Sequence, residues 1–250
     1  VSDIRVAVIG AKGRMGSHAV DAIEAADGLE LVAALGRGDS LEALLDLDVD
    51  VAVELTVPDS TQGNVAFLVD HGIDTVVGTT GWSPEALEDL RARLAEHPET
   101  AVLIAPNFSI GAVLAMRFAE LAAPYFDSAE IVEIHHTRKL DAPSGTAAHT
   151  ARRIAAARTA AGRGPMPDAT ASDPDGARGA VIDGVHVHAI RQQGMNAHEE
   201  ILFGSDGEAL TLRTDTFSTT AFMPGILTAV RAIGDRAGLD VGLEAYLDLA

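Results

Sequence analysis

The chain has 250 residues, 47% of them hydrophobic, a formal charge of -19 and no cysteine. That length can bury a sizeable core in one large domain or two modest ones, and the absence of cysteine excludes disulfides and thiol chemistry. The acidic balance argues against a nucleic-acid partner, because phosphate backbones attract basic surfaces, and no apolar run reaches the ~18 residues needed to span a membrane.

Strand-like sequence begins at Ile4, so no signal peptide is visible and a cytoplasmic protein is expected. Val6-Ala7-Val8-Ile9 is the apolar, β-branched run of a buried parallel strand. It leads into Gly10-Ala11-Lys12-Gly13-Arg14-Met15-Gly16, followed by a helical pattern through Val20, Ile23 and Ala26. Strand, glycine turn and helix make the first unit of a dinucleotide-binding fold. The glycines let the backbone approach a pyrophosphate, the helix start supplies N–H groups, and Lys12 and Arg14 add charge. The spacing is GxxGxxG rather than the commoner GxGxxG, and a plain tight turn is the alternative reading. The second strand, 29–35, ends in Gly36-Arg37-Gly38. No carboxylate stands there, although NAD-preferring proteins usually place one at this strand end for the ribose 2′-hydroxyl. Arg37 suits a 2′-phosphate instead, favouring NADPH or use of both coenzymes; the alternative is a surface-loop arginine.

Further strands are expected at 50–55, 75–77 and 101–104, with a helix following the Thr56-Val57-Pro58-Asp59 turn to about His71 and another from near Pro84 to near His97-Pro98. The last two of these strands end in Gly78-Thr79-Thr80-Gly81 and Ala105-Pro106-Asn107-Phe108. Strict alternation implies a parallel sheet with right-handed crossovers, and ligands sit at the carboxyl ends of such strands. Residues 10–16, 78–81 and 105–108 should therefore line one crevice. Trp82, the single tryptophan, either packs in the core or flanks a nicotinamide. A helix over 110–126 and a strand over 129–135 follow. Residues 145–160 read as a helix with Ser144 or Thr146 as N-cap, and 162–180 as a long loop or lid. Strands at 185–191, 198–203 and 209–214, the last two joined by Asp206-Gly207, imply a mixed or antiparallel sheet. A long apolar helix over 219–237 is expected to pack back on the first sheet. The fold class is thus α/β: a Rossmann-type parallel-sheet domain (1–108 and 219–250) plus a smaller α+β domain (109–218).

The densest chemistry lies at 133–146, Glu-Ile-His-His-Thr-Arg-Lys-Leu-Asp-Ala-Pro-Ser-Gly-Thr. Two histidines and a lysine stand where a strand ends and a helix begins, beside free backbone donors. His135 and His136 are adjacent on a strand and point to opposite faces unless the strand bends there. Lys139 is one of only two lysines, with Lys12, against sixteen arginines. Lysine is a compact charge able to lose its proton, so both positions are candidates for chemistry. Ser144-Gly145-Thr146 reads as an anion cradle or as ordinary capping. His186 and His188 share a strand face, but no third ligand has a fitting spacing, so no metal site is expected.

These stretches, in this order and spacing, resemble the dihydrodipicolinate reductase family, also called 4-hydroxy-tetrahydrodipicolinate reductase, across nearly the whole chain. The His-His-x-x-Lys-x-Asp-Ala-Pro-Ser-Gly-Thr run is its most specific mark. The resemblance implies a nucleotide domain and a substrate domain, assembled as a homotetramer through the second sheet. It implies reduction of a small cyclic dicarboxylate with NADPH or NADH and loss of water, in diaminopimelate and lysine biosynthesis. His135 and Lys139 fall on its acid/base and proton-donor positions, and His136, Gly145 and Thr146 on substrate-binding positions. Gly10, Ala11, Lys12, Gly13, Arg14, Met15, Gly78, Thr79, Thr80, Ala105, Pro106, Asn107 and Phe108 fall on cofactor positions; Gly16 and Arg37 join them from the turn and strand-end logic. Glu54-Leu55 departs from the usual Asp-Phe, and Gly36 from a common acidic residue. The competing readings are another nicotinamide-dependent imine reductase or amino-acid dehydrogenase, and a non-catalytic nucleotide-sensing module. Neither needs the histidine–lysine group ahead of the cradle.

Overall fold

The structure, a computed structural model, describes residues 2–247. The chain forms two compact units: one runs to Ile110 and resumes at Thr219, and the other is Gly111–Ser218. Among the described residues no helix is long and apolar enough to cross a membrane.

The first unit holds a six-stranded sheet: β1 (Ile4–Ile9), β2 (Leu29–Leu35), β3 (Val51–Glu54), β4 (Asp74–Val77), β5 (Ala101–Ile104) and β11 (Gly238–Val241). The spatial order is β11-β5-β4-β3-β1-β2, and every neighbouring pair is parallel. Helices α1 (Arg14–Glu24) and α6 (Met223–Ala232) pack on each other, as do α2 (Pro58–Asp70) and α3 (Pro84–Glu96). Val6, Ala7, Val8, Ala52 and Val53 are completely buried, as expected of strands covered on both faces. Chain direction across the sheet reverses between β1 and β3, the place where such sheets open a ligand crevice.

The helix expected over 219–237 is corrected. It is a 3-10 turn (Thr219–Phe222), then α6, then a second 3-10 turn (Ile233–Asp235), followed by β11, which pairs with β5. Pro224 sits in the first turn of α6, where its missing N–H costs nothing. Gly238, at φ +80°, turns the chain out of helical geometry into the sixth strand.

The second unit is a mixed five-stranded sheet ordered β10-β9-β6-β8-β7. Its strands are β6 (Ser128–His135), β7 (Ala180–Ile182), β8 (Val185–Arg191), β9 (Ala197–Ser205) and β10 (Glu208–Thr216). Only β6 and β8 run parallel; the other pairs are antiparallel. Asp206-Gly207 forms the two-residue turn between β9 and β10, with Gly207 at φ +80°. Alternation along β6 sends Ala129, Ile131 and Glu133 to one face. There Ala129 and Ile131 meet Ala115 and Ala119 of α4 (Ile110–Ala122) and Ala147, Ala151 and Ile154 of α5 (Gly145–Ala160). The alanines let both helices lie close to the sheet. Arg158 closes this layer by donating to the carbonyls of Phe126 at 2.6 Å and Asp127 at 3.0 Å, just beyond α4. The segment expected as a loop or lid is held down: Arg178 pairs with Glu130 of β6 at 2.6 Å and with Asp168 at 3.2 Å.

Candidate active site

In the first unit a cavity of about 440 Å³ opens at the carboxyl ends of β1, β2 and β3. Gly10, Lys12, Gly13 and Arg37 line it. Leu55, Thr56, Ser60 and Asn64 line it too, and so does Asp39, which sequence reading passed over. The Gly10 loop is tied to β2 by the N–H groups of Gly10 and Ala11, which donate to Leu35 O at 2.8 and 2.9 Å. A Cβ on Gly10 would stand 2.3 Å from Leu55 O, and one on Gly16 would stand 2.1 Å from Gly10 O. Both positions therefore need glycine, and α1 starts directly against the strand end with its first N–H groups lacking helical acceptors. Helix α1 has no acidic residue in its first turn, so nothing there competes with an anion.

Of the other expected cofactor residues, Gly78 and Phe108 come together with Leu55 of the cavity wall. A Cβ at Gly78 would be 2.6 Å from Leu55 Cδ2 and 3.0 Å from Phe108 Cε2, so the ends of β3, β4 and β5 converge. Thr79 Oγ1 is buried without a hydrogen-bond partner. Asn107 Oδ1 accepts from Ser109 N at 2.8 Å and shapes the 105–108 turn. Ala11, Arg14, Met15 and Gly16 do not line the cavity, and neither does any residue of 78–81 or 105–108, so the single crevice expected for the three stretches is corrected: only the first of them lines this one. Trp82 packs beside Val65, Val77 and Leu90 and donates its indole N–H to Thr79 O at 3.1 Å. The glycine cradle and the orphaned Thr79 hydroxyl fit a dinucleotide.

At the end of β2 the expected lack of a carboxylate is corrected. Asp39 folds back so that its Oδ2 accepts from Gly36 N at 2.8 Å. The stem of Lys12 occupies the space beside Gly36, where a Cβ would be 2.8 Å from Lys12 Cδ. Glycine at 36 thus makes room for a lysine, while the acid moves three residues along. Below the cavity, Glu54 is fully buried and held by the hydroxyls of Thr56 and Thr61, the latter at 2.7 Å, and by the Asn64 amide at 3.1 Å.

In the second unit the 133–146 stretch turns from β6 into α5. His135 is the last residue of β6, and its ring is largely covered, with 14% of the side chain exposed. His136 leaves the strand, donates its N–H to Asn196 O at 3.3 Å, and has a buried Nδ1 with no protein partner. Lys139 N donates to His136 O at 3.1 Å, and Lys139 Nζ lies 2.9 Å from Asp141 Oδ1. That ion pair, first, and neighbouring backbone N–H groups hold the Asp141 carboxyl below its ordinary range. Ser144 caps α5 by accepting from Ala147 N at 3.1 Å, and Gly145 and Thr146 form its first turn.

Glu133 joins these pieces and is fully buried. Its Oε1 accepts from Ser144 N at 3.0 Å and Arg191 Nη2 at 2.8 Å. Its Oε2 lies 2.7 Å from Arg191 Nη1 and 2.5 Å from His135 Nδ1. Burial pushes this carboxyl up, but the bonds to His135 and Arg191 outweigh it and hold the group at about 2. Arg191 also donates to Asp141 O at 2.6 Å. Glu133 belongs to the motif but had no assigned role, and Arg191 was missed because its proximity depends on the β6–β8 register, which sets it beside His135.

Glu199 of β9 sits directly opposite Glu133 in the antiparallel pairing and is also buried. Thr150 Oγ1 is 2.8 Å from Glu199 Oε1 and 3.0 Å from Thr146 O. The Thr150 hydroxyl donates to Glu199 and shares its one proton with the Thr146 carbonyl. Burial, opposed by Thr150 and aided by the Glu133 charge, raises Glu199 to about 7. Away from this site, His188 Nε2 is 2.7 Å from Glu130 and His186 Nδ1 is 2.8 Å from Arg178 O.

Comparison with known proteins follows the same division. Residues 4–108 match the family profile "Dihydrodipicolinate reductase, N-terminus", and residues 111–247 match "Dihydrodipicolinate reductase, C-terminus". The chain is 60% identical over 249 residues to the 4-hydroxy-tetrahydrodipicolinate reductase of Streptomyces avermitilis, with all of both chains covered. It is 54% identical over 246 residues to that of Nocardia farcinica, covering 98% of this chain and 99% of the relative. Among solved structures, a dipicolinate-bound dihydrodipicolinate reductase from Paenisporosarcina sp. TG-14 superposes with a TM-score of 0.88 at 36% identity, covering 98% of this chain and all of that one. An amine dehydrogenase from Mycobacterium smegmatis shares the fold alone, at TM-score 0.65 and 14% identity.

Proposed function

The chain belongs to the dihydrodipicolinate reductase family, and from that premise we propose that it reduces 4-hydroxy-tetrahydrodipicolinate to tetrahydrodipicolinate, with loss of water, in diaminopimelate and lysine biosynthesis. One observation carries this reading. The Glu133 carboxylate binds both His135 and the start of α5, so proton-handling groups and an anion-binding helix end meet at one strand terminus.

In this reading the first unit is the dinucleotide-binding domain, and the second binds substrate and forms the oligomer. Gly10 to Gly16 present backbone N–H groups and a positive helix end to a pyrophosphate. Gly78, Thr79, Thr80 and the 105–108 turn hold the nicotinamide end, with the Thr79 hydroxyl as a ready partner. A bound nicotinamide coenzyme supplies hydride. Lys12 and Arg37 offer cations to a 2′-phosphate, and Asp39 offers an acceptor to a 2′-hydroxyl, so both NADPH and NADH serve. In the second unit His136, Gly145 and Thr146 hold the substrate carboxylates. His135 and Lys139 handle protons: hydride addition to a conjugated imine leaves negative charge that a nearby donor must quench. Lys139 has three N–H donors, so it can keep Asp141 and still serve the ring. The balance is one substrate, one reduced coenzyme and one proton giving product, oxidised coenzyme and water. The outer face of the second sheet leaves Val181 60% and Ile190 40% exposed, which supports assembly through that face as a homotetramer; a cytoplasmic location follows from the biosynthetic reading alone.

The test is a coupled assay. The aldol product of pyruvate and aspartate semialdehyde is supplied, and oxidation of NADPH and NADH is followed optically. Both coenzymes should be consumed; folded protein that consumes neither refutes the reading.

A further inference from the structure

Glu133 is a buried acid to which family membership gave no part. Three of its four hydrogen-bond contacts come from groups that can only donate: two Arg191 N–H groups and the Ser144 backbone N–H. A carboxylate in that company is ionised and only accepts. Its fourth contact, His135 Nδ1 at 2.5 Å, must therefore carry the hydrogen. A neutral imidazole has one N–H, which leaves Nε2 with the lone pair. We infer that Glu133 is the positioning residue of this site: it fixes His135 in the Nδ1–H tautomer and so reserves Nε2 for the substrate's proton.

The same carboxylate reaches the second proton-handling group. Arg191, held bidentate by Glu133, also binds Asp141 O at 2.6 Å, and the Asp141 carboxylate pairs with Lys139 Nζ at 2.9 Å. His135 and Lys139 are thus aligned from one buried charge. The charged or titratable neighbours of Glu133 are His135 on its own strand, Arg191 on β8 and Glu199 on β9. The inference rests on the reading of His135 as the acid/base group, and its test separates the two.

The full-length protein labelled with nitrogen-15 in histidine is observed by NMR above the titration of its imidazoles, and His135→Gln assigns the His135 signals. The proton is expected on Nδ1; a proton on Nε2 in the wild type overturns the inference without need of any Glu133 variant. Glu133→Gln keeps size and the acceptor for Ser144 but offers an amide N–H to the ring. It should move the proton to Nε2 and lower kcat by about 10⁴-fold, the loss seen when a tautomer-setting carboxylate is replaced by its amide. The coenzyme KM should change by less than about twofold, and Glu133→Asp should recover part of kcat. If Glu133→Gln retains the wild-type tautomer and kcat, the inference fails. Wild-type protein with the expected tautomer and no turnover supports the role of Glu133 and counts against the reductase reading.

Discussion

Two buried glutamates stand near strand ends, one in each unit, in opposite company. Glu54, at the end of β3, is held by Thr56, Thr61 and Asn64, all neutral. Glu133, near the end of β6, is held by Arg191, His135 and a backbone N–H. The β3 end shapes a cavity lined by the glycine turn that starts α1. The β6 end concentrates ionised side chains around His135 and the start of α5. On the proposed reading, the first unit recognises a ligand by making room for it, and the second by stationing charge.

The sharpest way to break this contrast is to remove the proton-handling groups. His135→Ala and Lys139→Ala should each lower kcat by about 10²- to 10⁴-fold, the usual span for a general acid or base. Coenzyme affinity, measured by fluorescence titration, should stay within about twofold, because the cavity at β1–β3 is untouched. A matched loss of coenzyme affinity would erase the division of labour.

A smaller effect probes the second unit's other acid. Glu199 is raised to about 7 in the folded chain, against an ordinary glutamate value of 4.5. Between those values the folded state binds the extra proton, so stability is full below about 4.5 and falls as pH rises to 7. A shift of that size corresponds to roughly 3 kcal/mol. Glu199→Gln keeps an acceptor for Thr150 and should flatten this slope, so at pH 8 it should melt above the wild type. Equal melting-temperature slopes between pH 5 and 8 would show that Glu199 is not the neutral acid.

The smallest effect belongs to the rim of the first cavity. Arg37→Ala should raise KM for NADPH a few-fold more than for NADH, a change of about 1 kcal/mol, as befits a solvated charge. Asp39→Asn should do the reverse. An unchanged ratio in both would return these residues to the surface.

Much of the architecture is legible from residue order. Apolar runs separated by helical periods specify the parallel sheet, and Asp206-Gly207 specifies the hairpin, because these signals are local. Strand β11 is not legible: Gly238-Leu239-Asp240-Val241 is short, opens on glycine and carries a charge, and becomes a strand by pairing with β5. The helix before it looks continuous because apolar residues recur through 3-10 and α geometry alike. At the sites, residues close in sequence are found and partners brought by register are not. His135, His136, Lys139 and the α5 start share one motif, whereas Arg191 is 58 residues from Glu133 and meets it only through β6–β8 pairing. Asp39 was hidden differently. It is three residues from its partner Gly36, but the backbone turn that returns its carboxylate has no side-chain signature.

The scarcity of lysine acquires a practical meaning once both lysines are placed. Lys12 lies across Gly36 in the first unit, and Lys139 pairs with Asp141 in the second. An amine-selective acylating reagent therefore meets one side-chain target in each unit. Protection of either label by a bound molecule reads the occupancy of that unit alone, so the chain carries its own two-channel footprint.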